Sequence, residues 1–172
     1  MLLQRDPLDI LITPSGINKG ELAPEQLLIC DAKAKVVMGE LSPSAETMLH
    51  VVIYQTTNAQ VVLHTHTIWN TLASLGEADR YEIHGLEMLK ALTGNKSHAD
   101  TETIPILENS QNIPSLSKQV ALILKEQPQA HGFLLRGHGL YTWGEDLFEA
   151  RRHLEALEFL FEVSLRSKTI TS

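Results

Sequence analysis

Two histidines one residue apart, His64 and His66, close an apolar run that begins at Val61. Alternate side chains of a strand project from one face about 6–7 Å apart, at a rise of ~3.3 Å per residue, so two imidazoles at this spacing can converge on one ion. Alone, such a pair reads equally well as two partly buried, hydrogen-bonded rings. A third histidine shifts the balance. His138 lies between Gly137 and Gly139 just after another apolar run, and glycines there let backbone approach a ligand closely. Three neutral imidazoles with no thiolate suit an open catalytic metal site, whose fourth position is left for water or substrate. Zinc is the leading metal, with manganese, iron and cobalt as alternatives. His50, His84, His98, His131 and His153 read instead as solvated or structural.

A metal-polarised carbonyl needs a base for the adjacent proton. The candidates near these motifs are Glu46 in "SPSAET" and Glu87 in "GLEMLK". Either also reads as an ordinary surface glutamate on an amphipathic helix. "ITPSGINKG" supplies the Thr13 and Ser15 hydroxyls and the Gly16 backbone in one turn, with Lys19 close behind, which can hold a phosphate; on spacing alone, a plain Pro-Ser-Gly turn is the simpler reading. Ser44 either caps the helix after it or presents its hydroxyl and the helix N-terminus to an anion.

These groups need elements to position them. "DILITPSG" reads as a short strand ending in a turn, and "QLLICDAKAKVVMGE" as two strands joined around Ala32–Lys35. Met48, Leu49, Val52 and Ile53 form one stripe of a helix over 45–55, with Ser42 or Ser44 as its cap. "AQVVLHT" is a strand and "IWNTLASLG" a helix, so His64–His66 sit at a strand-to-helix corner. "GLEMLKALTG" reads as a further helix ending at Gly94, and a polar stretch leads to a helix carrying Ile113, Leu116, Val120 and Leu124. The strand "GFLLRGHG" follows. A long helix then starts near Asp146, with Leu147, Ala150, Leu154, Leu157 and Phe161 in one stripe that covers a sheet or a neighbouring subunit. Alternating strands and helices place the chain in the α/β class.

The 172 residues fit one domain and include no apolar run near the ~20 needed to span a bilayer. A net charge of −7 without a Lys/Arg cluster beyond Arg151–Arg152 argues against nucleic acid as a partner. The lone Cys30 cannot form an internal disulfide, and "MLLQRDPLDI" lacks the apolar core of a signal peptide, so a cytoplasmic location is expected. Eight histidines against four Phe, two Trp and three Tyr is the unusual feature of the composition.

In order, "TPSG", "PSAET", "HTH", "GLEMLKALTG", "PILENSQ" and "RGHGLYTWG" resemble the class II aldolase/adducin superfamily, over residues 10 to about 165. "HTH" with "GHGLYTWG" and "EMLKAL" is similar to its dehydratases rather than its sugar-phosphate aldolases. The resemblance implies a single domain over 1–172 with a three-layer α/β/α fold and a central mixed, mainly antiparallel sheet. It also implies a homotetramer, one catalytic Zn²⁺ per subunit and no redox cofactor. The implied activity is that of a hydro-lyase of methionine salvage, converting 5-methylthioribulose 1-phosphate to 2,3-diketo-5-methylthiopentyl 1-phosphate. By motif position His64, His66 and His138 match zinc ligands, Glu87 the proton-transfer residue, and Thr13, Ser15, Gly16 and Ser44 the phosphate loop. Glu46 matches a substrate-facing place whose residue type varies. Family members normally begin with a further helix and a strand bearing a Gly-Asn-x-Ser motif that completes the phosphate site, whereas this sequence starts almost at "ILITPSG"; a shortened start is therefore expected. Two rival readings are an aldolase cleaving another sugar phosphate and a non-catalytic interaction module as in adducin. The intact set of three histidines argues against the second.

Overall fold

Strands and helices fall largely where apolar spacing places them among residues 8–170, the part of the chain that this computed structural model describes. The opening residues of "MLLQRDPLDI" lie outside that range. Strands β1 (Ile10–Ile12), β2 (Leu28–Cys30) and β3 (Val36–Met38) form a small antiparallel sheet in the order β1-β2-β3. Asp31 closes the turn between β2 and β3 by accepting hydrogen bonds from the Lys33 and Lys35 amides at 2.8 and 2.9 Å. Helix α1 (Thr47–Thr56), strand β4 (Val61–Thr65) and helix α2 (Ile68–Ser74) follow. The N-cap position falls on Glu46 rather than on Ser42 or Ser44, and Ser44, two residues earlier, accepts from the Glu46 amide through Oγ at 3.2 Å.

The main sheet adds β5 (Arg80–His84), β6 (Thr101–Leu107), β7 (Gly132–Leu135) and β8 (Gly139–Gly144), in the order β4-β8-β7-β6-β5. Only β6 and β7 run parallel; the other pairings are antiparallel. Helices α3 (Ile113–Glu126) and α4 (Leu147–Ile170) complete the layers. Because side chains alternate across a strand, β7 and β8 send Phe133, Leu135 and Tyr141 to one face, where they meet Leu49 and Ile53 of α1 and Leu116, Val120 and Leu124 of α3. Leu134 and Leu140 point the other way, onto Ala73 of α2 and Leu157, Leu160 and Phe161 of α4. Each of the buried Leu, Ile, Val and Phe side chains among these contributes about 1.5–3 kcal/mol. The result is the expected α/β/α sandwich around a mixed, mainly antiparallel sheet.

Four elements depart from the sequence reading, one of them β8, which lies beyond the expected "GFLLRGHG" strand. "GLEMLKALTG" forms a 3-10 helix at Glu87–Ala91 rather than an α-helix. Leu86, Leu89 and Leu92 are spaced by three, and a three-residue period carries all of them to one side, where Leu89 and Leu92 are buried. Strand β5 shows alternating exposure that brings Tyr81 and Ile83 into the core. Strand β6 contains Pro105, which argues against an interior strand; its ladder to β7 begins only after that proline, at Ile106 and Leu107.

Candidate metal centre and phosphate pocket

The histidines meet where β4 and β8 lie side by side, with His64 opposite Tyr141 and Thr65 opposite Leu140. His66 is one residue beyond the strand end. His138 stands in the three-residue turn between β7 and β8, where Gly137 takes φ +63°, a conformation that suits glycine in such hairpin loops. Gly139 is needed for a different reason. A β-carbon there would lie 2.8 Å from His66 Cδ2 and 3.1 Å from His64 Cε1, with the Thr65 carbonyl oxygen closer still. The missing side chain is what lets the hairpin tip close onto the strand.

The ring nitrogens converge as a result. His66 Nε2 is 2.7 Å from His64 Nε2 and 2.9 Å from His138 Nε2. Glu46, just ahead of α1, joins them, with its carboxylate oxygens 3.3 Å from His64 Nε2 and 3.2 Å from His138 Nε2. These four side chains each offer one ligand atom within 4.8 Å of the others. The sequence singled out Glu46 as a candidate base and, by resemblance, as a substrate contact, not as a neighbour of the histidines; its membership of the histidine group follows from α1 packing against β4 and α3.

Protonation fits a metal. His64 Nδ1 lies 2.9 Å from the Leu140 carbonyl. A carbonyl can only accept, so Nδ1 carries the proton and the lone pair of Nε2 points into the cluster, the tautomer a metal ligand requires. Burial lowers the pKa of His66, and the charges of His64 and His138 lower it further. His138 is also lowered, by burial first and by His64, against an opposing pull from Glu46. Both are therefore biased toward the neutral form. For Glu46, burial pushes the carboxyl up, but the hydrogen bond and charge of His64 and the charge of His138 outweigh it and hold the pKa at about 2. Three lone-pair nitrogens and one carboxylate are borderline donors for a divalent ion. Tetrahedral bonds of ~2.0–2.1 Å would set the nitrogens about 3.3 Å apart, so the rings need spread only by roughly half an ångström.

The phosphate candidates border the same space. A pocket of about 570 Å³ is lined by Thr13, Ser15, Gly16, Lys19 and Ser44 together with Glu46, His64 and His66. Its size suits a small phosphorylated metabolite. The two loops that supply the polar groups are tied together: Ser15 donates its amide to the Ser42 carbonyl at 2.9 Å, and Pro14 bridges to Pro43. Lys19 Nζ donates to the Pro14 carbonyl, which holds the ammonium over the turn.

Glu87 is placed apart from this group. Its side chain is exposed at the start of the 3-10 helix and pairs with Lys90 at 2.5 Å. The Lys90 hydrogen bond and charge lower its pKa. Two residues went unremarked in the sequence: Tyr141, whose ring stacks on His64 at 3.9 Å, and Glu158 of α4, which hydrogen-bonds to the residues flanking His66.

Residues 3–165 match the family described as "Class II Aldolase and Adducin N-terminal domain". A protein of Yersinia enterocolitica named methylthioribulose-1-phosphate dehydratase is 42% identical over 172 residues, covering 99% of this chain and 82% of its own. A Yersinia pestis protein of the same name is 45% identical over 170 residues, covering 98% and 77%. Among solved structures, the L-fuculose-1-phosphate aldolase of Thermus thermophilus is 26% identical, with a TM-score of 0.74 over 94% of this chain and 79% of that one. Among the described residues no helix is long and apolar enough to cross a membrane.

Proposed function

Since the chain belongs to the class II aldolase and adducin N-terminal domain family, we propose that it is a zinc-dependent hydro-lyase that dehydrates 5-methylthioribulose 1-phosphate to 2,3-diketo-5-methylthiopentyl 1-phosphate in methionine salvage. One observation carries this reading: the phosphate-loop residues border one pocket together with Glu46, His64 and His66. The relatives sharing 42–45% identity carry the dehydratase name.

Within this reading His64, His66 and His138 hold the ion. Bound there, zinc supplies Lewis acidity that polarises a substrate carbonyl and so acidifies the neighbouring C–H. Thr13, Ser15, Gly16 and Ser44 bind the phosphate through hydroxyl and amide donors, with Lys19 adding charge. Proton transfer is assigned to Glu87, on the match of "GLEMLKALTG" to the family motif. It removes the C3 proton and delivers one to the departing C4 hydroxyl; loss of that water leaves an enol at C3–C4, which tautomerises to the second ketone. Glu46, held ionised beside the imidazoles, takes no part in the proton transfer in this reading. Its role is to contact the substrate at the metal's edge. The chain works as a cytoplasmic homotetramer. Exposed Phe148 and Phe159 around an apolar groove with Met88 support assembly through the α4 face.

The test is product analysis with zinc-loaded protein. Release of the diketone from 5-methylthioribulose 1-phosphate, with no cleavage of L-fuculose 1-phosphate, supports the reading. Retro-aldol fragments without dehydration would assign the chain to the aldolases, and inactivity on both despite bound zinc would overturn the enzymatic reading.

A further inference from the structure

His64 and His66 are held differently. His64 is fixed by its Nδ1 bond to Leu140, whereas among the described residues the polar contacts of the His66 ring are only the close approaches of its Nε2 to the Nε2 atoms of the other two histidines. The direction of His66 therefore depends on its backbone, just past the end of β4. That backbone is tied on both sides to one carboxylate from the last helix. Glu158 Oε2 accepts from the Thr67 hydroxyl at 2.5 Å, and Oε1 accepts from Asn70 Nδ2 at 2.8 Å and lies 3.5 Å from Thr65 Oγ1.

Asn70 is fully buried and extends the tie, with Nδ2 also 3.1 Å from the Thr65 carbonyl and 3.2 Å from Thr65 Oγ1. The Thr67 hydroxyl, its proton committed to Glu158, turns a lone pair to the Asn70 amide at 3.3 Å and so caps α2. A carboxylate on the sheet-facing side of α4, beside buried Leu157 and Phe161, is costly to desolvate, and these donors offset that cost.

We propose that Glu158 is a positioning residue for the metal site: through Thr65, Thr67 and Asn70 it fixes the backbone on both sides of His66 and thereby aims that imidazole at the ion. The inference rests on the metal reading above. Partners of this kind behind a ligand are worth roughly 10–100-fold in metal affinity.

The test is the zinc dissociation constant, measured by chelator competition on protein shown to be folded by circular dichroism, beside the melting temperature of the zinc-free form. Glu158→Ala is expected to weaken zinc by roughly 10–100-fold. Glu158→Gln, which keeps one acceptor oxygen, should fall between Glu158→Ala and the wild type. Thr67→Val should weaken zinc as well, and combining it with Glu158→Ala should cost less than the sum of the two, because both act through one contact. Should Glu158→Ala fail to fold, the Gln and Thr67→Val variants decide. Wild-type affinity in the folded Glu158 variants, even with a lowered melting temperature, would make Glu158 merely structural and overturn the inference alone. A wild-type chain that holds no zinc would overturn the metal reading, and this inference with it.

Discussion

Gly139→Ala isolates the close approach on which the histidine group depends. Gly139 does not have a positive φ, so alanine is allowed by the backbone and only its surroundings oppose it. The added carbon would sit 2.8 Å from His66 Cδ2 and 3.1 Å from His64 Cε1. Carbon atoms settle at about 3.5–4.0 Å, so His66 must retreat by roughly 0.7 Å or more, and the Thr65 carbonyl must yield too. Overpacking of this kind costs about 1–3 kcal/mol, which for a chain of this size lowers the melting temperature by roughly 2–12 °C. The functional effect should be larger. A displacement near 1 Å costs on the order of 10²-fold in rate, and the retreating groups are two of the three imidazoles. Zinc affinity by chelator competition, kcat/KM for the dehydration and a zinc-free melt, run together, separate the two effects. Gly76→Ala is the control, since a β-carbon there meets nothing within 4 Å, and it should stay within about 0.5 kcal/mol of wild type. If Gly139→Ala kept wild-type zinc affinity and turnover, the strands could separate without disturbing the ligands, and the account of the site would be wrong.

Purified protein should carry about one zinc per chain, and Ala at His64, His66 or His138 should abolish its retention; elemental analysis showing full occupancy in all three variants would remove the assignment. Glu87→Gln should cut turnover by roughly 10²–10⁴ with metal content unchanged. Glu46→Gln should instead raise KM and alter zinc affinity, because its carboxylate touches His64 and His138, so the reverse pattern would exchange the two roles. A buried pair far from the site sets a pH dependence: His131 Nδ1 lies 2.9 Å from Glu102 and its Nε2 lies 2.7 Å from the Thr93 carbonyl. Burial would lower the His131 pKa, but Glu102 and Thr93 outweigh it and raise it. The pair's stabilisation is therefore full below the unfolded value of ~6.5 and fades as pH climbs through the folded one. His131→Ala should cost about 3–5 kcal/mol near pH 6 and less near pH 9, and equal deficits in melts at the two pH values would contradict the pairing.

Much of this was legible in residue order because it depends on local periodicity. The stripes of α1, α3 and α4 and the β-branched run before His64 announce their elements, and the His-x-His spacing with the glycine-flanked His138 marks two strand ends able to share an ion. Where local signals compete, the fold decided. "GLEMLKALTG" is compatible with either helix type until burial of Leu89 and Leu92 selects the three-residue period, and Pro105 speaks against β6 until β5 and β7 supply its neighbours. The site itself is the clearest division. Residue types mark the three imidazoles as candidate ligands, because that is a property of their chemistry. The proximity of Glu46 to them, and of Glu158 to the neighbours of His66, joins segments 18 to 93 residues apart. Such contacts are set by how α1 and α4 pack on the sheet, and no periodicity within either helix encodes them.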